Sequence, residues 1–195
     1  HTRQAEALLH APAEGPDERA FLFAQADQFK DVIDGLLTLG GGDLVTGAEE
    51  IQILGHLHVF VDPEEIGHVT DDMADRVGIA DHVVFCNQFV DQATLLEHIS
   101  MCDVYVTPYL NEAQMTSGTL AYSYGLGKAV VSTPYWHAQE LLADGHGLLV
   151  PFADAATTGV AISGLLTDDV RRHAMRKRAY ATSRSMTWPR IAKSY

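Results

Sequence analysis

The stretch DVYVTPYLNEAQMTSGTLAYSYGLGKAVVST, residues 103–133, decides the fold. Two short runs of β-branched and aromatic residues, Asp103–Pro108 and Lys128–Thr133, flank a helix-compatible segment, Gly118–Leu126. Such runs are typical of strands buried in a sheet, and a helix between them predicts a β/α unit with parallel strands. An acidic loop and a turn of small hydroxyl residues separate the first strand from the helix.

The same alternation extends along most of the chain. Further strands are predicted at AFLFA (20–24), IQILG (51–55), HVVFC (82–86) and GLLVPF (147–152). Further helices are predicted at DQFKDVIDGLLTL (27–39), PEEIGHVTDDMADRVGI (63–79), DQATLLEHISM (91–101) and WHAQELLADG (136–145). A basic terminal helix is predicted from Asp168 to Tyr195, with a break near Pro189, which cannot continue it.

Apolar strands that alternate with helices predict an α/β fold, a doubly wound parallel sheet flanked by helices, of the Rossmann-like kind. We expect residues 19–195 to form one domain and residues 1–18 to be an N-terminal segment of uncertain structure. Because the sequence opens at His1 rather than Met, we also expect it to be part of a longer protein.

Charge and composition exclude several classes of partner. The 13 Lys and Arg residues against 26 Asp and Glu residues give a net charge of −13, which excludes nucleic acid as the main partner. No apolar run reaches the roughly 18 residues that span a bilayer, so we predict no membrane span. The two cysteines, Cys86 and Cys102, form no metal or redox motif and predict a cytoplasmic location.

The loop after Asp103–Pro108 is the candidate ligand site. Ligands of doubly wound sheets bind at the carboxyl ends of the strands, where this loop lies. Thr116, Ser117, Gly118 and Thr119 open the next helix, and free N–H groups at a helix N-terminus can hold an anion such as a phosphate. The alternative is an ordinary N-cap, because Ser and Thr are favoured there for structural reasons alone.

The long segment from Asp103 to Asp154, with IADHVVFCNQFVDQATLLEHISMCDVYV (79–106) before it, resembles a known family. It is similar to the C-terminal, donor-binding domain of GT-B glycosyltransferases, in particular the retaining family 4 type. The resemblance runs from about Phe21 to the end of the chain. It implies a nucleotide-diphosphate sugar as substrate, no cofactor, and an N-terminal acceptor domain or partner chain that completes the site.

The resemblance also implies roles for individual residues. Glu112 matches the acidic residue beside the donor sugar, the candidate catalytic residue. Lys30 matches a loop lysine that pairs with the diphosphate, and the turn of Thr116, Ser117, Gly118 and Thr119 matches the one whose amides hold it. Residues expected in the nucleotide or sugar cleft are His58, Tyr109, Gln114 and Tyr122.

Two departures from the family pattern support a second hypothesis. Tyr122 stands where the family has a ribose-binding glutamate, and Gln25 and Ala26 stand where it has a diphosphate-binding arginine. The alternative function is therefore a degenerate glycosyltransferase-like module for binding or assembly, possibly a homodimer, without catalysis.

Histidine and aromatic residues offer other candidates. His56 and His58 follow the predicted strand 51–55, and without a third ligand in register they predict no metal site. We expect both to lie in a loop that lines the cleft. Trp136 follows Tyr135 at the start of a predicted helix, where either ring can stack on a sugar or base. The pattern YWHAQELL also fits a helix packed on the sheet, and core packing is expected for Trp136.

Overall fold

A computed structural model describes residues 20–25, 57–62, 75, 80, 83–85 and 90–193. Its strands are β1 (Ala20–Gln25), β2 (Leu57–Asp62), β3 (Val83–Phe85), β4 (Val104–Thr107), β5 (Ala129–Ser132) and β6 (Leu148–Leu149). Its α-helices are α1 (Gln92–Met101), α2 (Gly118–Gly125), α3 (Trp136–Leu141), α4 (Ala155–Thr167), α5 (Asp169–Ser183) and α6 (Trp188–Ile191). Short 3₁₀ turns follow α3 at Ala143–Gly145 and α5 at Arg184–Met186.

The six strands form one parallel sheet in the order β3-β2-β1-β4-β5-β6. The chain therefore builds outward from β1 to β3, then returns to the other side of β1 and continues with β4 to β6. This is the doubly wound, Rossmann-like order, and the predicted fold class is confirmed. The direction of building reverses between β1 and β4, which is the switch point where such sheets bind ligands.

The core lies between the sheet and its flanking helices. All four residues of β4 and of β5 are buried, as expected for central strands of a covered parallel sheet. Helices α2 and α5 pack against each other, and α5 also packs on β5. The largest fully buried side chains are Tyr105, Tyr135, Ile99, Leu120, Leu142, Ile162 and Leu165.

Two predictions differ from the structure. The strand next to β1 is Leu57–Asp62, so placing His58 in a loop is wrong. The β-formers Val59, Phe60 and Val61 favour pairing with β1 at this position. Helix α4 was not predicted, because Thr, Gly and Ser weaken the helical signal of its sequence.

Helix α4 forms because its apolar face is buried. Thr158, Gly159, Ile162 and Leu165 recur at helical spacing and are buried. The Asp154 side chain caps the helix by accepting hydrogen bonds from the Thr157 amide at 2.9 Å and the Thr157 hydroxyl at 2.6 Å. Tertiary burial and a good cap together offset the weak intrinsic propensity.

Other predictions fall partly or wholly outside the described residues. The helices expected at 27–39 and 63–79 and the segment 1–18 lie there, as does the strand expected at 51–55. The break in the terminal helix is confirmed: α5 ends at Ser183, and Pro189 lies in the first turn of the separate helix α6. Proline suits that position because the first helical amides need no intrahelical partner.

Helix α2 ends in a Schellman motif at Gly127. The Gly127 amide donates to the Tyr124 carbonyl at 3.0 Å, and the Lys128 amide donates to the Ser123 carbonyl at 3.0 Å. Gly127 has φ +68°, a conformation that glycine adopts without strain. The chain can therefore reverse directly from α2 into β5.

Lys128 is a buried cation at the end of another helix. Its Nζ atom donates to the carbonyls of Ser100 at 2.6 Å and Cys102 at 2.9 Å, at the C-terminus of α1. The side chain satisfies two of the carbonyls that a helix end leaves unpaired, and its charge complements the helix dipole. Burial, and to a smaller extent the nearby Arg176, lower the pKa of Lys128 to about 8.

Three arginines of the closing segment each bind the backbone carbonyl of a glycine. Arg176 Nε donates to the Gly127 carbonyl at 3.2 Å, and Arg178 donates to the Gly145 carbonyl at 2.9 Å. Arg184 donates to the Gly125 carbonyl and lies over the Tyr180 ring, 4.2 Å from its centroid. These contacts fix α5 and the turn after it against the loops that lead into β5 and β6.

Candidate functional site

The candidate site lies at the carboxyl edge of the sheet, next to the switch point. Strands β1 and β4 are neighbours, with Leu22 opposite Val104 and Phe23 opposite Tyr105. The loop after β4, residues 108–117, and the segment after β5, residues 133–135, leave the sheet at this same edge. The chain that follows Gln25 at the end of β1 starts beside them.

Ser117 begins α2 as its N-cap. Its Oγ accepts a hydrogen bond from the Leu120 amide at 3.2 Å and lies 3.3 Å from the Thr119 hydroxyl oxygen. Within the part of the chain that the structure describes, the amides of Gly118 and Thr119 donate to no protein atom. A Cβ built on Gly118 would meet nothing within 4 Å. Among the described residues, the start of α2 therefore offers two N–H donors without a protein partner, next to space for a Cβ at Gly118.

The loop after β4 docks on the first turn of α3. The Trp136 amide donates to the Glu112 carbonyl at 3.1 Å, and the His137 amide lies 3.5 Å from the Gln114 carbonyl. In the other direction, the Ser117 amide donates to His137 Nδ1 at 2.9 Å. Because α3 has no side-chain cap, the loop carbonyls serve as acceptors for its first amides.

Further hydrogen bonds within the loop shape it. The Asn111 side chain accepts from the Ala113 amide at 3.0 Å, and the Gln114 side chain donates to the Thr116 carbonyl at 2.8 Å. These contacts hold the loop between Glu112 and the start of α2 in one conformation.

Tyr109 and Tyr135 pack against each other where the loop leaves the sheet. The rings of Tyr109 and Tyr135 meet edge to face, with centroids 5.1 Å apart. The Tyr109 carbonyl accepts a hydrogen bond from the Thr133 hydroxyl. Tyr135 is fully buried, and burial raises the pKa of its phenol, although neighbouring hydroxyls, including that of Ser117, lower it in part.

The structure brings together seven of the ten predicted site residues in one loop and turn, namely Tyr109, Glu112, Gln114, Thr116, Ser117, Gly118 and Thr119. Glu112 belongs to the same loop, and its side chain is exposed to solvent. Tyr122 lies one turn further along α2, 37% exposed, where its hydroxyl accepts from the Gln92 side chain at 3.0 Å. His58 is in β2, and Lys30 lies outside the described residues.

The sequence pattern misassigned one aromatic residue and missed one histidine. Trp136 is 54% exposed and Tyr135 is fully buried, so the expectation of core packing for Trp136 is wrong. Tyr135 precedes the helix in extended conformation, and this reverses which of the two neighbours faces inward. His137 was not among the predicted site residues, whereas its side chain accepts a hydrogen bond from the turn itself.

No group of three or more His, Cys, Asp or Glu side chains that could hold a metal ion occurs among the described residues. In the same part of the chain, no helix is both long enough and apolar enough to cross a membrane.

The strand order and the switch-point loop define a doubly wound, Rossmann-like α/β domain. The family described as "Glycosyl transferases group 1" matches residues 50–168, more than half of the chain. The chain belongs to this family. No curated protein matches the chain at a significant level.

Solved structures of GT-B proteins share the fold. Sucrose-phosphate synthase from Thermosynechococcus elongatus is 18% identical with a TM-score of 0.71, over 98% of this chain and 46% of that one. The HepE protein of Anabaena, solved with UDP and glucose, is 14% identical with a TM-score of 0.68, over 99% of this chain and 50% of that one. The chain thus spans about half the length of these two proteins.

A third similar structure is a single domain. The C-terminal domain of a glycosyl transferase group 1 protein, LpcC, from Francisella tularensis is 13% identical with a TM-score of 0.66. The match covers 89% of this chain and 93% of that domain. The chain therefore corresponds in fold to that C-terminal domain.

Proposed function

We propose that the chain is the donor-binding domain of a retaining glycosyltransferase of the family 4 type. The domain binds a nucleotide-diphosphate sugar, and the complete enzyme transfers the sugar to an acceptor. The observation that carries the proposal is the pair of amides, Gly118 and Thr119, that have no partner among the described residues, with space beside Gly118 at the switch point. Family membership supports the sugar-transfer chemistry. We propose that this chemistry requires no cofactor.

In the proposed reaction the bond between the anomeric carbon and the phosphate oxygen breaks, and the nucleoside diphosphate leaves. Negative charge grows on the leaving phosphate oxygens. The amides of Gly118 and Thr119, with the dipole of α2 behind them, stabilise that charge, and Lys30 is proposed to add a cation from the loop after β1. Glu112 is proposed to lie beside the sugar.

The net charge of −13 makes a local anion site necessary, because the overall field of the protein repels a diphosphate. Amides and a helix dipole act over a few ångströms, where they outweigh distant surface charges screened by salt. The exposed Trp136, which contacts the loop of Glu112 through its amide, offers an aromatic surface at the rim of the site.

We further propose that an acceptor domain, from the same protein or from a partner chain, closes over this site. The two-domain relatives are about twice the length of this chain, which supports the proposal. The isolated chain is therefore expected to bind nucleotide without turnover. A cytoplasmic location also remains a proposal.

The test is calorimetric titration with UDP, GDP and ADP. UDP comes first because the similar HepE structure holds UDP. Gly118→Ala places a methyl group in the open space at the free amides and is expected to weaken binding at least tenfold. Gly125→Ala is the matched control, since a Cβ at the other end of the same helix also meets nothing within 4 Å.

Lys30→Ala and Glu112→Gln complete the set. The first is expected to weaken nucleotide binding. The second should leave binding of the free nucleotide unchanged and reduce transfer in the complete enzyme. Equal affinity of wild type, Gly118→Ala and Gly125→Ala would contradict the proposed location of the diphosphate.

A second candidate function is a degenerate module for binding or assembly. Tyr122 stands at the position where the family resemblance expects a ribose-binding glutamate. Its hydroxyl already accepts a hydrogen bond from the Gln92 side chain, and a tyrosine supplies no carboxylate. This candidate predicts no binding of any of the three nucleotides and a concentration-dependent dimer in analytical ultracentrifugation.

A further inference from the structure

The His137 side chain forms a hydrogen bond with the turn that begins α2. Its Nδ1 atom accepts a hydrogen bond from the Ser117 amide at 2.9 Å, across 20 residues of sequence. The contact joins the two segments that leave β4 and β5 at the carboxyl edge. Ser117 is also the N-cap that directs the free amides of Gly118 and Thr119 outward.

The contact fixes the chemical form of the histidine. An imidazole nitrogen that accepts a hydrogen bond carries no proton, so the neutral ring of His137 holds its proton on Nε2. His146, at the opposite edge of the sheet, has the other tautomer. Its Nδ1 faces the Ala143 carbonyl at 2.7 Å and must donate, while its Nε2 accepts from the Thr182 hydroxyl at 3.0 Å.

The Ser117 amide would otherwise be free to compete for the same ligand or to turn the peptide plane. A buried or half-buried amide without a partner is costly, and the backbone would move to satisfy it. The bond to His137 settles the orientation of the peptide between Thr116 and Ser117. The next two amides are then the donors that have no partner among the described residues, with space beside Gly118.

Two neighbouring contacts give His137 a fixed position. Its own amide approaches the Gln114 carbonyl at 3.5 Å, and the amide of Trp136 donates to the Glu112 carbonyl at 3.1 Å. Tyr135, fully buried and directly before α3, anchors the start of this helix in the core. The imidazole is thus attached to the core on one side and to the turn on the other.

We propose that His137 is a positioning residue for the anion-binding turn, acting through the unprotonated Nδ1 that accepts the Ser117 amide. This inference rests on the proposed function, since it assigns the turn a diphosphate as ligand. The turn requires a hydrogen-bond acceptor at the position of His137 Nδ1, and the bulk of the imidazole ring alone is not sufficient.

The experiment compares three side chains at position 137 in the complete chain. Asparagine places an acceptor oxygen near the position of Nδ1, whereas leucine fills similar volume without an acceptor. Inorganic pyrophosphate is the probe, because it tests the diphosphate site without depending on the base. Wild type and His137→Asn are expected to bind with similar affinity, and His137→Leu about tenfold more weakly. His146→Leu is the control at the opposite edge and should bind like wild type.

A nuclear magnetic resonance measurement reports the contact directly. A scalar coupling across the hydrogen bond is expected between the Ser117 amide nitrogen and His137 Nδ1 in the wild-type chain. Equal affinity of wild type and His137→Leu, failure of His137→Asn to restore binding, or absence of the coupling would each overturn the inference alone. If wild type binds neither pyrophosphate nor any of the three nucleotides, the proposed function fails and this inference with it.

Discussion

Substitution of Gly127 by alanine should destabilise the chain strongly, for two separable reasons. Alanine at φ +68° has a strained backbone, which costs about 1 kcal/mol. Its Cβ would lie 2.8 Å from the Tyr180 Cβ and 3.1 Å from the Arg176 carbonyl oxygen, so α5 must move away from the turn. Overpacking of this kind costs about 1–3 kcal/mol. Together these terms predict a loss of about 2–4 kcal/mol, a large share of the stability of an ordinary domain.

Urea unfolding followed by circular dichroism measures this loss. With a slope of about 2 kcal/mol/M, the midpoint of Gly127→Ala should fall by about 1–2 M. Gly125→Ala is the control, because its Cβ meets nothing and alanine is the better helix former, so its midpoint should stay or rise. Gly127→Asn separates the two causes, since asparagine tolerates positive φ but keeps the crowded Cβ. If Gly127→Asn is as stable as wild type, the crowded Cβ does not destabilise the chain. If Gly127→Ala is as stable as wild type, neither the crowding nor the positive φ does.

Three further predictions concern titration and reactivity. Burial lowers the pKa of Lys128 from its ordinary value of 10.5 to about 8, so the unfolded chain binds more protons between these pH values. The free energy of unfolding should therefore rise as the pH rises from 8 to 10.5. Urea unfolding at several pH values should show that Lys128→Met lacks this rise. Hydrogen bonds from Thr157 lower the pKa of Asp154 below its ordinary value of 3.8. The carboxylate therefore stabilises the folded chain fully above pH 3.8, and this contribution is lost as the pH falls through the lowered pKa. The melting temperature of Asp154→Ala should therefore fall less steeply with falling pH than that of wild type. In a Cys86→Ser background, the buried Cys102, whose pKa burial raises to about 12, should react with a disulfide reagent at pH 8 only when urea unfolds the chain, and rapid labelling of the folded protein would contradict its burial.

The architecture followed from the sequence wherever burial was continuous. Strands β4 and β5 are four-residue runs buried along their whole length, and their continuous apolar sequences therefore predicted buried strands. Helix α4 was missed because its stability comes from packing and from the Asp154 cap rather than from its residue types. His58 was placed in a loop because the segments 51–55 and 57–62 both resemble strands, and only pairing with β1 distinguishes them.

The candidate site was predictable in its backbone and less so in its side chains. The carboxyl-edge rule located the turn at Ser117 and Gly118 from the order of elements alone. The roles of Tyr135 and Trp136 depend on which residue begins α3, a difference of one position that periodicity does not resolve. The contact between His137 and Ser117 joins positions 20 residues apart, and no local pattern encodes it.

The arginine contacts of α5 bear on how far this domain can diverge. Each of these three guanidinium groups binds a main-chain oxygen of a glycine, so the hydrogen bonds themselves do not depend on the side chains of the neighbouring loop residues. Substitutions at other positions of those loops can therefore accumulate without removing these three hydrogen bonds, whereas Gly127 must stay because a Cβ there meets α5. A chimera that takes residues 169–191 from a distant relative should dock in the same place if it keeps the three arginines. The closing segment is in this sense exchangeable between relatives that also keep the buried Met175 and Ala179, which pack into the core.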